Sequence, residues 1–357
     1  MRKLLLMVVL LIGSTSIWAE TFVYIVPSGV DGGNAKWAQQ FVAQWNKKLQ
    51  SQGHDMVLRY IPGKKGKKGF LEWHKKYKDK DTVVVQSNGF INYLTTNGWN
   101  DFSPLDIATI GGQIQGTFVF KKTDITPGTD DAIMHIDGGA EVILDAMAVK
   151  MLACGPSLEC TVPIRFVKGF KDSGERRKAF IDGMINISRD GFSHKNKTYK
   201  QEIKDGITEI WFSQGIVDTE TNKIIPDPNH TESWFIDAYV AKWGEKPKGL
   251  YFEGYKQVLK MRSALGKTVF TKKDNIHYDL LVSTFNEVLA DEDAMKKLTK
   301  KLGNYPWHTG ETSQKLVDKI WKFCCTIDGY DEHLYQKLVN FRREFGENTE
   351  MNEAILR

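Results

Sequence analysis

Ser28, Gly29, Asp31, Gly32, Gly33 and Asn34 fall within seven positions, between an apolar run and an amphipathic one. Glycines and small polar residues of this kind make a tight turn with close backbone approach. Where such a turn opens a helix, the first backbone N–H groups have no partner within the helix, and the helix dipole favours an anion there by roughly 0.3–1 kcal/mol per charge. The chemistry offered is anion binding; the plainer alternative is a strand-to-helix connection that binds nothing. Similar material recurs at Ser87, Asn88 and Gly89, at Gly138 and Gly139, and at Lys168, Gly169, Phe170 and Ser173, with Arg189 further along. Ser28, Ser87, Asn88 and Ser173 are the candidate hydrogen-bonding side chains.

These residues need strands and helices to hold them. Val23–Val26 reads as a buried strand, and Ala38, Phe41, Val42, Trp45 and Leu49 recur at helical spacing after the loop. Strand patterns follow at Val57–Ile61, Thr82–Gln86, Ile107–Ile110, Thr117–Phe120, Ile164–Val167, Met184–Ile187 and Ile207–Phe212. Helical patterns lie between them. Ser87–Gly89 ends one strand as the first loop ends another, and loops at the carboxyl ends of neighbouring strands are where open α/β sheets take ligands. Helices dominate after the irregular Pro226–Gly249: Tyr255–Leu265, Tyr278–Ala290, Asp293–Leu302, Ser313–Cys325 and Asp331–Phe345.

The start, Met1-Arg2-Lys3, precedes an apolar run from Leu4 to Ile12 and the small-residue end Gly13–Ala19, the pattern of a secretory signal peptide cleaved near Ala19. The mature chain is therefore expected to be exported to the periplasm. Removing residues 1–19 takes away Arg2 and Lys3 and lowers the net charge from +5 to +3, too little to specify a partner. The Lys64–Gly69 run lacks the Gly-Lys-Ser/Thr ending of a P-loop and reads as a solvated turn rather than a nucleic-acid patch. Four cysteines in an exported chain favour disulfides over metal; Cys154–Cys160 is the favoured bridge, with cross-pairing to Cys324 and Cys325 left open. No cysteine–histidine spacing resembles a zinc site, and no cofactor motif is present.

The order of these pieces resembles the extracytoplasmic solute receptors of the tripartite tricarboxylate transporter family. Ile25-Val26-Pro27 with Gly32-Gly33 is similar to that family's first strand and glycine loop, and Tyr60–Gly63 with Gly66 and Gly69 to its proline-glycine turn. Ser87–Gly89, Asp101–Pro104 with Ile110-Gly111, Val167–Phe170 with Ser173, Gly183–Asn186 and Leu289–Gly303 continue the likeness. It spans roughly residues 22–310. It implies a two-lobed α/β periplasmic binding fold of type II, each lobe a mostly parallel sheet flanked by helices. The expected boundaries are residues 20–120 together with 248–310 for one lobe, 121–247 for the other, and 311–357 as a helical extension on the first. It implies capture of a small carboxylate, held largely by backbone N–H groups and hydroxyls, by a monomer that delivers it to a two-component membrane permease.

The chain departs from the pattern in its first loop. Asp31-Gly32-Gly33-Asn34-Ala35 replaces the usual Gly-Gly-Gly-Thr-Asp, and Gln39 stands where the family has arginine. Asp31 would repel a carboxylate unless it points away or pairs with Lys168, Arg189 or a ligand amine. An amino-acid-like ligand is thus as well supported as a dicarboxylate or an aromatic acid. Two other classes compete. An exported hydrolase would need a nucleophile and base, yet there is no Gly-x-Ser-x-Gly elbow or His-Glu-x-x-His, and the eight histidines are scattered. A receptor for a membrane sensor would carry the same binding lobes.

Overall fold

The structure, a computed structural model, describes residues 19–63, 66–88, 107–135, 140–167, 170, 173–195, 197–221 and 223–325. The leader before Ala19 and the helix expected at Asp331–Phe345 lie outside the described residues.

The first sheet begins with β1 (Thr21–Val26), which leads into α1 (Gly33–Ser51), then β2 (Asp55–Tyr60), α2 (Lys67–Lys76), β3 (Val83–Gln86) and β4 (Ile107–Gln113). The apolar stripe predicted for α1 is buried: Ala38, Phe41, Val42, Trp45 and Leu49 all lie against the sheet. Residues 114–117 cross to the second sheet, whose strands are β5 (Phe118–Lys122), β6 (Ile133–His135), β7 (Arg165–Val167), β8 (Ile187–Asp190) and β9 (Thr208–Ser213). Its helices include α3 (Ala140–Cys154), α4 (Ser173–Ile181), α5 (Phe192–Lys195) and α6 (Lys200–Lys204). A short hairpin, β10 (Ile216–Val217) with β11 (Ile224–Ile225), precedes α7 (Phe235–Trp243) and α8 (Gly249–Leu265). The chain then re-enters the first sheet as β12 (Val269–Lys272), followed by α9 (Tyr278–Ala290), α10 (Glu292–Leu302), β13 (Trp307–Thr309) and α11 (Gly310–Cys325).

The sheets are mixed rather than mostly parallel, which corrects the expectation. The first runs β13-β4-β12-β3-β1-β2 and the second β7-β6-β8-β5-β9. In the first, β12 is antiparallel to both β3 and β4; in the second, β5 is antiparallel to both β8 and β9. β5 and β12 are each the first strand to follow a crossing, and β13 is antiparallel to β4 as well. Apart from β13, both sheets share one order, with the arriving strand inserted beside the third.

Two boundaries also move. Residues 118–120, expected in the first lobe, pair in the second sheet, and α8 packs on α3 as well as on α11. Met184–Asn186, expected as strand, instead completes the end of α4. Gly183 takes φ +79°, and the Met184 and Ile185 N–H groups return to the Ala179 carbonyl, at 2.8 and 3.3 Å. Asn186 then clamps the neighbouring strand, accepting from Ile133 N at 2.7 Å and donating to Asp131 O at 2.6 Å.

Cys154 and Cys160 form a disulfide that closes a small loop at the end of α3. The crossings are bound together: Gln214 N donates to Thr117 O at 2.9 Å, Gln115 N to Ser263 O at 3.0 Å and Val217 N to Ser263 Oγ at 3.1 Å.

Candidate ligand site between the two sheets

The glycine loop after β1 folds on itself before α1 begins. Gly32 N–H donates to Gly29 O at 3.0 Å, and the Ser28 hydroxyl donates to the same carbonyl at 2.8 Å. Gly32 and Ser28 therefore give these donors to the loop rather than to the space in front of it. The next N–H groups, those of Gly33, Asn34 and Ala35, open the helix, where no earlier turn can accept from them. Asn34 accepts from the Lys267 ammonium. Gln39, in the position expected for arginine, braces the loop by donating to Val30 O at 3.2 Å and to the Tyr60 hydroxyl at 3.1 Å.

The loop after β3 lies beside the first, as its place in the sheet requires. Asn88 joins the two by donating from Nδ2 to Pro27 O at 3.2 Å. Ser87 commits its side chain within the first half. It is fully buried, its N–H donates to Thr268 O at 2.8 Å, and its Oγ accepts from Thr268 N at 3.1 Å while donating to Leu265 O. Its expected role as a ligand hydroxyl is corrected: it fastens β3 to the turn between α8 and β12. Gly89, Gly138, Gly139, Lys168 and Gly169 lie outside the described residues, as does the side chain of Ser173. Phe170 is half-buried against the cluster of Phe118, Phe120, Val167 and Phe180.

Arg189 is engaged within the second half. Its Nε lies 2.6 Å from Oδ2 of Asp145, a fully buried residue of α3. Successive strand side chains point to opposite faces, so the neighbouring Asp190 faces α4 instead. There it is 5% exposed and accepts from four donors. Arg177 donates through Nε to Oδ2 at 2.8 Å and through Nη2 to Oδ1 at 3.1 Å; Arg176 Nη2 reaches Oδ2 at 3.0 Å and the Tyr199 hydroxyl at 3.1 Å. Burial alone would raise the Asp190 pKa, but the two guanidinium groups outweigh it and hold the carboxyl well below the usual range. His194, 4% exposed on α5, has Nε2 at 2.8 Å from Arg177 Nη2 and Nδ1 at 3.1 Å from Thr198 Oγ1. An arginine cannot accept, so Nε2 accepts and Nδ1 carries the proton. Burial is the main reason that the His194 pKa falls to about 4, with Arg177, Lys36 and Arg176 acting in the same sense and Asp190 against.

The first half answers with Lys36, in the opening turn of α1, which contains no acid. A lysine there opposes the helix dipole. Its pKa is lowered first by burial and then by two cations of the second half, Arg177 and Lys197, against the opposing pull of Asp31 and Asp190. The Lys36 ammonium makes no hydrogen bond or ion pair with a described residue; its backbone N–H donates to Gly32 O at 2.9 Å. Asp31 is exposed, and its charge acts on Lys36. The arrangement thus gathers Lys36, Arg176, Arg177 and Lys197 against Asp31 and Asp190, an excess of positive charge beside open helix N–H groups. None of the four cations is among the residues that the sequence singles out, because a charged side chain carries no mark of a distant partner. The lack of any acid beside Lys36 in the first turn was the one signal present.

Among the described residues no cluster of three His, Cys, Asp or Glu could hold a metal ion, and no helix is long and apolar enough to cross a membrane.

No family model matches the sequence, and no curated protein matches it. Solved structures do. The chain is similar to the periplasmic binding protein BugD, with TM-score 0.56 and 14% identity over 92% of this chain and 98% of that one. It is similar to MatC from Rhodopseudomonas palustris with bound malate, with TM-score 0.51 and 11% identity over 92% and 98%. A TctC solute-binding protein from Polaromonas gives TM-score 0.51 and 12% identity over 91% and 99%. The likeness is one of fold, and the fold is the one that the sequence resemblance implied.

Proposed function

We propose that this chain, which has the periplasmic binding protein fold, is an exported receptor. It captures a small carboxylate between its two halves and hands it to a two-component membrane permease. The observation that carries the reading is Lys36: a partly buried ammonium with no hydrogen bond or ion pair to a described residue, its pKa lowered by burial and by the charges of Arg177 and Lys197 in the second half. Like charges gathered in a partly desolvated space repel one another, and an anion held between them removes that repulsion. The Gly33–Ala35 N–H groups supply one end of the cradle and the Arg177 edge the other. With His194 neutral, the four cations exceed the two carboxylates by two charges, which favours a dianion over a zwitterion.

Binding would couple to rotation of the halves about residues 114–117 and 213–217 and the segment after α8, the hinge class of motion. Mature protein cleaved near Ala19 would act in the periplasm as a monomer. The neighbours in fold named as binding or solute-binding proteins support a receptor over a hydrolase, and one of them holds malate.

The test is thermal unfolding and calorimetry of the purified chain against L-malate, succinate, citrate, benzoate and L-glutamate. A ligand at a hundred times its dissociation constant stabilises by about 2.7 kcal/mol. A rise in Tm with dianions that exceeds the rise with benzoate or glutamate is expected. Equal silence from all five, or consumption of the ligand, overturns the reading.

A further inference from the structure

The Arg177 guanidinium has five N–H donors, and three are accounted for by two neighbours. Asp190 accepts from Nε and Nη2, at 2.8 and 3.1 Å, and His194 Nε2 lies 2.8 Å from the same Nη2. No described residue accepts from Nη1. The group is therefore gripped along one edge and bare on the other. Asp190 is itself fixed by Arg176 and Tyr199, at 3.0 and 3.1 Å. The acceptor face of His194 is fixed by Thr198, 3.1 Å from Nδ1.

The geometry points to His194 and Asp190 as positioning residues: together they consume the Nε–Nη2 edge of Arg177 and leave the Nη1 pair as the edge offered to the anion. This rests on the anion-receptor reading and adds to it the residue of the second half that pairs with the ligand and the two that aim it. The carboxylate of Asp190 alone would let the second Nη2 hydrogen compete with Nη1 for the ligand. The histidine removes that alternative, but only as the neutral ring protonated on Nδ1. An imidazole with its proton on Nε2 would confront Arg177 donor to donor. Thr198 is part of the device because its hydroxyl accepts the Nδ1 proton of that tautomer and holds the ring in place.

The experiment uses the full mature chain with L-malate as the probe, and the variants Arg177→Gln, His194→Gln, His194→Phe and Thr198→Val, each checked for folding by circular dichroism. Losing a charge-assisted hydrogen bond should weaken malate binding in Arg177→Gln about ten- to a hundredfold. His194→Phe and Thr198→Val should weaken it about tenfold, whereas His194→Gln, which keeps an acceptor near the Nε2 position, should restore it to within about threefold. Ring nitrogen NMR of the ligand-free chain at pH 7 should show His194 protonated on Nδ1 and bare on Nε2. If malate binds the wild type and His194→Phe alike, the positioning role is overturned while the receptor reading stands. If malate binds none of the proteins, the carboxylate reading falls and the ring tautomer decides the orientation alone: a proton on Nε2 overturns it.

Discussion

Ser87 Oγ accepts the Thr268 N–H at 3.1 Å, while Ser87 N–H donates to Thr268 O at 2.8 Å, so one serine closes both backbone groups of a residue at the return crossing. Both residues are fully buried. Ser87→Ala leaves the Thr268 N–H without that acceptor, and a buried unsatisfied donor costs about 1–3 kcal/mol. Urea unfolding should show a loss of that size, with the affinity of the folded protein for malate changed far less. A large loss of affinity at unchanged stability would return Ser87 to the binding site.

Lys36→Gln should have the opposite profile. It removes an ammonium that opposes the helix dipole and two neighbouring cations, so thermal stability should hold or rise slightly. Affinity for a dianion should fall about tenfold or more by calorimetry, since a charged partner is lost. A fall in Tm with unchanged affinity would make Lys36 structural.

Stability should decline as the pH falls from about 6.5 to about 4. His194 and His308 are both buried and both have pKa values lowered to about 4, chiefly by burial. Between the unfolded value near 6.5 and the folded value, the unfolded chain binds more protons, so stability rises with pH across that window and is lost on acidification. The contribution is on the order of 3 kcal/mol for each group. His194→Gln or His308→Gln should flatten the pH dependence of urea midpoints between pH 4 and 6.5; an unchanged slope in both would refute it. Asp190 acts lower still, because its depressed pKa keeps its contribution in place until more acid conditions.

Gly69 brings α2 against the first loop. A methyl group there would lie 2.8 Å from the Ile61 carbonyl oxygen and from Pro27 Cα, closer than real contacts allow. Gly69→Ala should destabilise by about 1–3 kcal/mol through backbone displacement. Because Pro27 also receives the Asn88 carboxamide, malate affinity should drop with it. Wild-type stability in this variant would show that α2 can shift freely.

Opening the Cys154–Cys160 disulfide should lower stability by about 2 kcal/mol, the scale expected for so short a loop. The loop lies at the C-terminal end of α3 and supplies none of the site's residues, so a Cys154→Ala/Cys160→Ala double variant should bind malate as the wild type does. Calorimetry beside a melting curve checks both halves of the statement.

The sequence by itself determined the alternation of strands and helices, the face that α1 buries, and the placing of two loops at neighbouring strand ends. Each follows from apolar spacing and turn residues within a dozen positions, and such signals are local. The family resemblance added two lobes in one order. Only the tertiary structure decided which way β5 and β12 run, because strand direction in a sheet is fixed by pairing between residues far apart in sequence. Only it decided that Ser87 closes on Thr268, that Arg189 meets Asp145, and that Asp190 is gripped by Arg176 and Arg177. A charged side chain carries no mark of its partner in the neighbouring sequence: Lys36 and Arg177 lie on helices of different halves, and only the packing of those halves makes them neighbours.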